Sequence, residues 1–520
     1  MTGIVFRDLV ESIPLQTLEG FPDSRIIHGI ASDSRKIEPG DIFVATVGKQ
    51  IDAHRFIPEA ISRGAVAVVG EQRGVPIVVP YLRVDNARIA LALLSAAFYR
   101  FPGRKLTVIG ITGTDGKTTT CNLIYQILLV SGFKTGMITT VNAVIGEETI
   151  DTGFHVTTPD ASVLQKYLDK MVAEGLTHVV LETTSHGWSQ HRVDGCEFDI
   201  GVITNVTHEH LDEHGNFASY LNAKGKLFES LSETHKKPFG NPRLGVLNKD
   251  DQSYNYLKSI SPEGYKTYSF VGPSDLTAAN IKLSAKGSGF NAIGAGWKVP
   301  VLCRLPGRHN IANCLAAMTA TIEGLGIEPL IASRGIYHLT GIPGRMESID
   351  VGQKFNAIVD FAHTPNALVN AVRTIRTFTT GKVITIFGSA GLRDRKKRRM
   401  MAEISVKEAD ITILTAEDPR TESLDDILNE MTEAARECGG VEEVTFWKIP
   451  DRREAIRFGI QIAQEGDTVV ACGKGHEQSM CFGEIEYPWD DRTAIRAAIS
   501  EHLGIDGPNM PFLPDVDKME

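Results

Sequence analysis

Short unbroken apolar runs alternate along the chain with stretches whose apolar residues recur every three or four positions. An apolar run of four to six residues bounded by turn formers reads as a strand buried on both faces, which needs helices packed against it. The pattern therefore predicts α/β units built on largely parallel sheets. Asp41–Ala45 (DIFVA) and Ala65–Gly70 (AVAVVG) are strand candidates on either side of an amphipathic stretch, Phe56–Gly64. Lys105–Thr112 (KLTVIGIT) is another, followed by a Gly-rich turn and a helix from about Thr118. Leu164, Tyr167, Leu168, Met171 and Val172 share one face of a predicted helix. His178–Thr183 and Phe198–Asn205 read as buried strands, and Lys382–Gly388, Asp410–Thr415 and Asp467–Gly473 repeat the strand-then-helix rhythm.

Two Pro/Gly breaks interrupt this rhythm, Phe101–Lys105 (FPGRK) and Gly341–Glu347 (GIPGRME). With 520 residues the chain exceeds what one hydrophobic core supports. Three domains are expected, spanning 1–104, 105–340 and 341–520. A composition of 42% hydrophobic and 23% charged residues is that of an ordinary globular protein. The net charge of -10 disfavours non-specific nucleic-acid binding. Seven dispersed cysteines with no Cys-x-x-Cys pair argue against a disulfide framework and a thiolate zinc site. Arg7, Asp8 and Glu11 stand where a secretory leader would be apolar, and no run is long enough to cross a bilayer. The expectation is a cytoplasmic monomer with no membrane or nucleic-acid partner.

The strand ends carry the candidate chemistry, as the carboxyl edges of open α/β sheets do. Gly113, Thr114, Asp115, Gly116, Lys117, Thr118 and Thr119 follow a strand and open a helix. Glycines let backbone N–H groups approach phosphate oxygens, Lys117 would reach the terminal phosphates, and the Thr118 hydroxyl would bind Mg²⁺. Ile111 departs from the Walker A spacing by replacing its first Gly. Glu182, at the end of the His178–Thr183 strand, suits a cation site. The segment His208–Gly215 interleaves three His with acids. Zinc fits that composition, but imidazole and carboxylate beside a bound nucleotide equally suit Mg²⁺ or Mn²⁺. Lys224 and Lys226 follow in Ala-Lys-Gly-Lys, where a helix-surface lysine is the plain alternative.

These segments together resemble the Mur ligase family and its folylpolyglutamate synthetase relatives, which activate a carboxylate as an acyl phosphate and let an amine attack it. The resemblance covers essentially the whole chain. It implies an N-terminal uridine-nucleotide-binding α/β domain, a central P-loop ATPase-like parallel-sheet domain and a C-terminal Rossmann-like α/β domain. It implies ATP and Mg²⁺, with Lys117, Glu182, His210 and Lys224 catalytic. Thr118, Glu182, His210 and Lys224 would hold the metal, Lys224 as a CO₂-derived carbamate. Asn310, Arg345 and Asp360 would complete the nucleotide site, Asn310 reading the base.

Several patterns match the branch that builds the cell-wall precursor tripeptide from UDP-MurNAc-L-Ala-D-Glu. By that match Ser34, Lys49, Gln50 and Ile51 would line the UDP-sugar site. Val156, Thr157, Thr158, Thr184, Gln190 and Arg192 would hold the muramoyl dipeptide, although Val156 replaces a common Asn and Thr184 a Ser. Arg393, Glu417, Asp418, Pro419, Arg420, Gly473 and Glu477 would bind the incoming diamino acid. A guanidinium at Arg420 suits the distal carboxylate of meso-diaminopimelate. Asp418, where the diaminopimelate-using members carry Asn, would favour a cationic amine and keeps lysine and ornithine open. The rest of the Arg393–Arg399 run is expected to be a solvated helix start. Two rival readings are a folate-glutamating ligase and a non-catalytic nucleotide-binding regulator.

Overall fold

The strand candidates fall into three separate sheets, each covered by helices, in a computed structural model that describes residues 3–14, 17–20, 22–48, 51–75, 78–150, 158–207, 216–284 and 287–514. The first sheet runs Thr17–Glu19, Tyr81–Val84, Ala67–Gly70, Asp41–Val44, Gly29–Ala31 in spatial order. Only its Thr17–Glu19 edge is antiparallel. Every residue of Asp41–Val44 and Ala67–Gly70 is buried, as unbroken apolar runs require.

The central sheet has a parallel heart in the order Thr135–Ile138, His178–Glu182, Thr107–Thr112, Ile200–Ile203, Leu244–Asn248, Lys266–Ser269. One face packs on the helix Lys117–Val130, which lies against His309–Leu325 and Pro329–His338. The other face packs on Ala161–Ala173 and Phe217–Glu233. Leu164, Leu168 and Met171 are fully buried there, with Tyr167 and Val172 flanking them.

Largely parallel describes this heart but not its edges. A ribbon of Leu276–Ser284, Gly287–Gly294 and Trp297–Cys303, antiparallel within itself, joins one edge by parallel pairing with Lys266–Ser269, and the hairpin Ala143–Ile145/Glu148–Ile150 caps the other by antiparallel pairing. The ribbon alternates exposed and buried positions instead of forming an apolar run, so it carries a weaker signal.

The third sheet runs Glu347–Ser348, Asn356–Asp360, Thr468–Cys472, Val383–Phe387, Ile411–Leu414, Phe446–Lys448, parallel except at Glu347–Ser348. Among the described residues no helix is long and apolar enough to cross a membrane.

A buried ion pair fastens the entry of the central sheet. The side chains of Lys237 and Asp199 are both fully out of solvent. Lys237 Nζ also donates to the Leu106 carbonyl at 2.7 Å and the Glu197 carbonyl at 2.8 Å. Asp199 accepts the Val108 N–H at 2.7 Å and the Asn241 amide at 2.8 Å. The starts of Thr107–Thr112 and Ile200–Ile203 are thereby held in register. Removing one partner leaves an uncompensated buried charge, so Asp199→Ala is expected to destabilise the central domain by about 3–5 kcal/mol, read as a lowered midpoint in urea unfolding.

Candidate functional site

The strand Thr107–Thr112 is buried along its whole length and delivers the Gly-rich loop to the carboxyl edge of the sheet. At Gly113, φ is +148° and a Cβ would lie 1.8 Å from Thr204 Oγ1, so only glycine fits. Gly116, also left-handed, caps the helix Lys117–Val130, whose first N–H groups have no intrahelical acceptor. The neighbouring strand end fastens the loop. Thr114 N–H donates to Asn205 O at 2.8 Å, Asp115 N–H to Asn205 Oδ1 at 3.0 Å, and Thr204 Oγ1 to Asp115 O at 2.6 Å. The Thr114 hydroxyl accepts the Thr207 N–H at 3.0 Å and lies 3.1 Å from the Tyr220 hydroxyl.

Three predicted residues converge on this loop. The Thr118 hydroxyl donates to Glu182 Oε2 at 3.0 Å. Glu182, 1% exposed, also accepts the Thr140 N–H at 3.1 Å and the Thr140 hydroxyl at 2.9 Å. Lys224, 2% exposed, donates from Nζ to Gly113 O at 2.6 Å, with its ammonium 4.4 Å from the Tyr220 ring centroid. Lys226, the other lysine of that stretch, is half-buried. Lys117 folds back on the loop, its Nζ 2.7 Å from Thr114 O. His210 lies outside the described residues. Among the described residues no group of three His, Cys, Asp or Glu side chains forms a metal cluster. The carboxylate of Glu182 beside the hydroxyl of Thr118 nonetheless offers the hard oxygen donors that Mg²⁺ prefers.

The third domain reaches over the loop. Arg345 Nη2 lies 3.3 Å from Thr118 Oγ1, and its guanidinium sits 4.4 Å above the Phe361 ring. Asn366 donates to Asp115 Oδ2 at 2.7 Å. Asp360 accepts the Met346 N–H at 2.7 Å and the Ala362 N–H at 2.9 Å, which ties the linker to the sheet. Burial pushes the Asp360 carboxyl above its ordinary range, against the pull of Arg345. Asn310 is placed differently from the expectation of a base reader. Its amide donates to Pro306 O at 2.7 Å and accepts from Asn313 at 3.0 Å, and it stands off the cavity wall.

Four of the residues expected at the dipeptide gather beside Glu182. The hydroxyls of Thr158 and Thr184 lie 3.3 Å apart. Arg192 donates to Thr158 O at 2.8 Å and to Gln190 Oε1 at 2.7 Å, while its buried Nε forms an ion pair with Asp160 at 3.5 Å. Val156, Thr157, Lys49 and Gln50 lie outside the described residues, and Ile51 is exposed. Ser34 does not line this cavity. It sits in a one-turn helix capped by Asp33, and its buried hydroxyl donates to Glu59 at 2.9 Å.

The loop after Ile411–Leu414 carries Glu417 to Arg420. Asp418 Oδ1 accepts from Lys474 Nζ at 2.9 Å and from the Cys481 N–H at 2.9 Å. The cation beside Asp418 is thus an internal lysine, where the sequence reading expected a substrate amine. Lys474 also pairs with Glu477 at 2.6 Å. Arg420 makes no ion pair among the described residues, and its Nε is buried without a partner on the cavity wall. Burial pushes the Glu417 carboxyl up to about 7, opposed by Lys397, Arg452 and Lys474 and assisted by Asp418. A Cβ on Gly473 would lie 2.1 Å from Glu417 Oε2, so glycine lets the two loops meet. Arg393 is exposed at the rim. Arg398 departs from the solvated helix start: it is buried and pairs with Glu422 and Glu430.

A clamp behind these loops carried no sequence signal. Arg452, fully buried, donates to Ala416 O at 3.1 Å and to Cys472 O at 2.9 Å, and pairs with Asp491 at 2.6 Å. Those carbonyls belong to the residues just before Glu417 and Gly473, so one guanidinium sets both loops.

The Gly-rich loop, Glu182, Arg192, Arg345, Glu417 and Arg420 all line one cavity of about 790 Å³. Matches to known proteins follow the same three-part division. Residues 26–99 match the model described as Mur ligase family, catalytic domain, 111–321 the Mur ligase middle domain, and 344–475 the Mur ligase, glutamate ligase domain. The chain is 39% identical over 482 residues to the UDP-N-acetylmuramoyl-L-alanyl-D-glutamate--2,6-diaminopimelate ligase of Geobacillus thermodenitrificans, covering 93% of this chain and 96% of that one. It is 41% identical over 492 residues to the UDP-N-acetylmuramyl-tripeptide synthetase of Roseiflexus, covering 92% and 96%. A solved structure of a UDP-N-acetylmuramoyl-L-alanyl-D-glutamate--2,6-diaminopimelate ligase superposes with a TM-score of 0.65 at 30% identity, over 97% of this chain and 100% of that one. The Thermotoga maritima MurF ligase in complex with ADP shares the fold at a TM-score of 0.61, with 18% identity over 86% and 93%. The Gly-rich loop and the loops that carry Glu417 and Gly473 thus occur in an architecture shared along nearly the whole length, and the chain belongs to the Mur ligase family.

Proposed function

We propose that this chain is an ATP-dependent ligase that joins meso-diaminopimelate to the D-glutamate carboxylate of UDP-MurNAc-L-Ala-D-Glu in peptidoglycan precursor synthesis. The observation that carries the reading is one cavity lined both by the Gly-rich loop and by Arg420, an arginine with no ion pair among the described residues. In this reading residues 1–104 bind the uridine nucleotide, with Ser34, Lys49, Gln50 and Ile51 near the sugar. Residues 105–340 bind ATP, and residues 341–520 bind the amino acid. The reading takes the protein to act as a cytoplasmic monomer.

The loop N–H groups and Lys117 would hold the β- and γ-phosphates, and Arg345 would approach them from the third domain. Asn310 would have to exchange its present partners to read adenine. Thr118, Glu182, His210 and Lys224 as a carbamate would hold Mg²⁺, which when bound neutralises phosphate charge. An unmodified ammonium at Lys224 would repel that cation, so the carbamate is the form consistent with the reading. Val156, Thr157, Thr158, Thr184, Gln190 and Arg192 would orient the dipeptide so that its carboxylate meets the γ-phosphate in line. ADP leaves, and the acyl phosphate is attacked by the amine, releasing phosphate. Arg393, Pro419, Gly473 and Glu477 would frame the amino acid beside Glu417 and Asp418. Arg420 would pair with its distal carboxylate, which L-lysine and L-ornithine lack.

Phosphate release is expected only with ATP, UDP-MurNAc-L-Ala-D-Glu and a diamino acid together, with meso-diaminopimelate preferred over L-lysine and L-ornithine. Arg420→Ala is expected to raise KM for diaminopimelate about 100-fold, the equivalent of one charge-assisted pair, and to change KM for L-lysine little. Equal losses for both amino acids would contradict this assignment. Gly113→Ala forces a side chain into Thr204, and calorimetry is expected to show ADP binding weakened at least about 100-fold.

A further inference from the structure

The two loops that carry Arg420 and Glu477 leave strands that are not neighbours. Ile411–Leu414 and Thr468–Cys472 are separated in the sheet by Val383–Phe387, so no ladder bond sets the distance between them. Arg452 spans that gap from behind. Its Nη1 donates to Ala416 O at 3.1 Å and its Nη2 to Cys472 O at 2.9 Å, each carbonyl standing at the root of one loop. Nε and Nη2 also donate to the two oxygens of Asp491 at 2.8 and 2.6 Å, and Trp489 Nε1 donates to Asp491 Oδ1 at 2.8 Å. All three side chains are buried. A guanidinium is planar and rigid, so two carbonyls bound to its terminal nitrogens are held at one separation.

The loop beyond Ala416 has a backbone that must be held. Asp418 has a φ of 44° and Arg420 a φ of 57°, left-handed values that residues with side chains keep only where the surroundings impose them. At the far end the Arg420 N–H donates to Cys481 O at 3.1 Å, and Arg420 O accepts from the Gly483 N–H at 2.8 Å. Arg452 holds the near end. Lys474, bonded to Asp418 and Glu477, ties the two loops together between these points. Resting on the ligase reading above, we infer that Arg452 is a positioning residue for amino-acid selection, fixing the loop spacing at which Arg420 meets the distal carboxylate of the incoming diamino acid. Arg452 itself is fully buried and stands off the cavity wall, so it acts only through the two loops.

That placement separates the two halves of the reaction. The Gly-rich loop and Glu182 belong to the central domain, so forming the acyl phosphate needs neither of the clamped loops. Only the second half, in which the amino acid is bound and joined, depends on them. A lysine at position 452 keeps a cation for Asp491, but one compact ammonium cannot reproduce the fork that grips two carbonyls and a carboxylate at once. Arg452→Lys therefore loosens the loops while the buried charge of Asp491 stays compensated.

The test compares Arg452→Lys and the unaltered chain with three nucleophiles. These are meso-diaminopimelate, L-lysine, which lacks the distal carboxylate, and hydroxylamine, which traps the acyl phosphate as a hydroxamate. KM for meso-diaminopimelate is expected to rise about 30-fold, KM for L-lysine to change at most about 3-fold, and hydroxamate formation to stay within about 2-fold. Equal rises for both amino acids, an unchanged KM for meso-diaminopimelate, or a parallel loss of hydroxamate by the folded variant would each overturn the role of Arg452. If circular dichroism shows that Arg452→Lys does not fold, Trp489→Phe decides, because it removes only one donor from Asp491. The same selective rise in KM for meso-diaminopimelate is then expected at about 5-fold, and its absence overturns the role. Failure of the unaltered chain to form hydroxamate with ATP and UDP-MurNAc-L-Ala-D-Glu would instead overturn the ligase reading beneath it, and equal KM values for its two amino acids would overturn the choice of diaminopimelate.

Discussion

The Gly-rich loop adopts its shape because elements distant in sequence hold it from three sides. The Lys224 ammonium donates to the Gly113 carbonyl, Thr204 and Asn205 grip the backbone of Thr114 and Asp115, and Glu182 accepts from Thr118. Gly113 permits the turn only because it has no side chain to meet Thr204. A triphosphate bound there would have its terminal group beside Glu182, Lys224 and Arg192, where a second substrate's carboxylate would also come. The parallel register of Thr107–Thr112, His178–Glu182 and Ile200–Ile203 aligns these strand ends, and the buried Lys237–Asp199 pair fixes two of those strands at their entry.

The third domain solves a different electrostatic problem. It buries Glu417, Asp418, Lys474, Arg452 and Asp491 close together, which is tolerable only with internal pairing. Arg452 with Asp491, and Lys474 with Asp418 and Glu477, provide it. Among the described residues, the buried atoms without a hydrogen-bond partner include one oxygen of Glu417 and the Nε of Arg420, a carboxyl and a guanidinium that line one cavity. A zwitterionic amino acid with a further carboxylate complements that pair.

Features that depend on local pattern were legible in the sequence. Unbroken apolar runs marked Asp41–Val44, Thr107–Thr112, His178–Glu182 and Thr468–Cys472, and the Gly, Lys and Thr spacing marked the loop. Features that depend on distant partners were not. Nothing beside Arg452 announces that it holds the carbonyls of Ala416 and Cys472, nothing beside Asn205 announces the loop it grips, and nothing beside Asn366 points to Asp115. The lysine that pairs with Asp418 was hidden for the same reason, since it lies 56 positions away. Nothing beside Ser34 announces the hydrogen bond of its hydroxyl to Glu59, 25 positions away. The Leu276–Cys303 ribbon escaped because its alternating, small-residue strands form no apolar run.

In the proposed reaction one oxygen of the D-glutamate carboxylate attacks the terminal phosphate within the cavity formed around the Gly113–Thr119 loop. The most direct measurement labels that carboxylate with heavy oxygen, runs the complete reaction, and weighs the inorganic phosphate by mass spectrometry. The account predicts one labelled oxygen in each phosphate released, transferred through the acyl phosphate. Phosphate that carries no label, formed while the amide product accumulates, would contradict it.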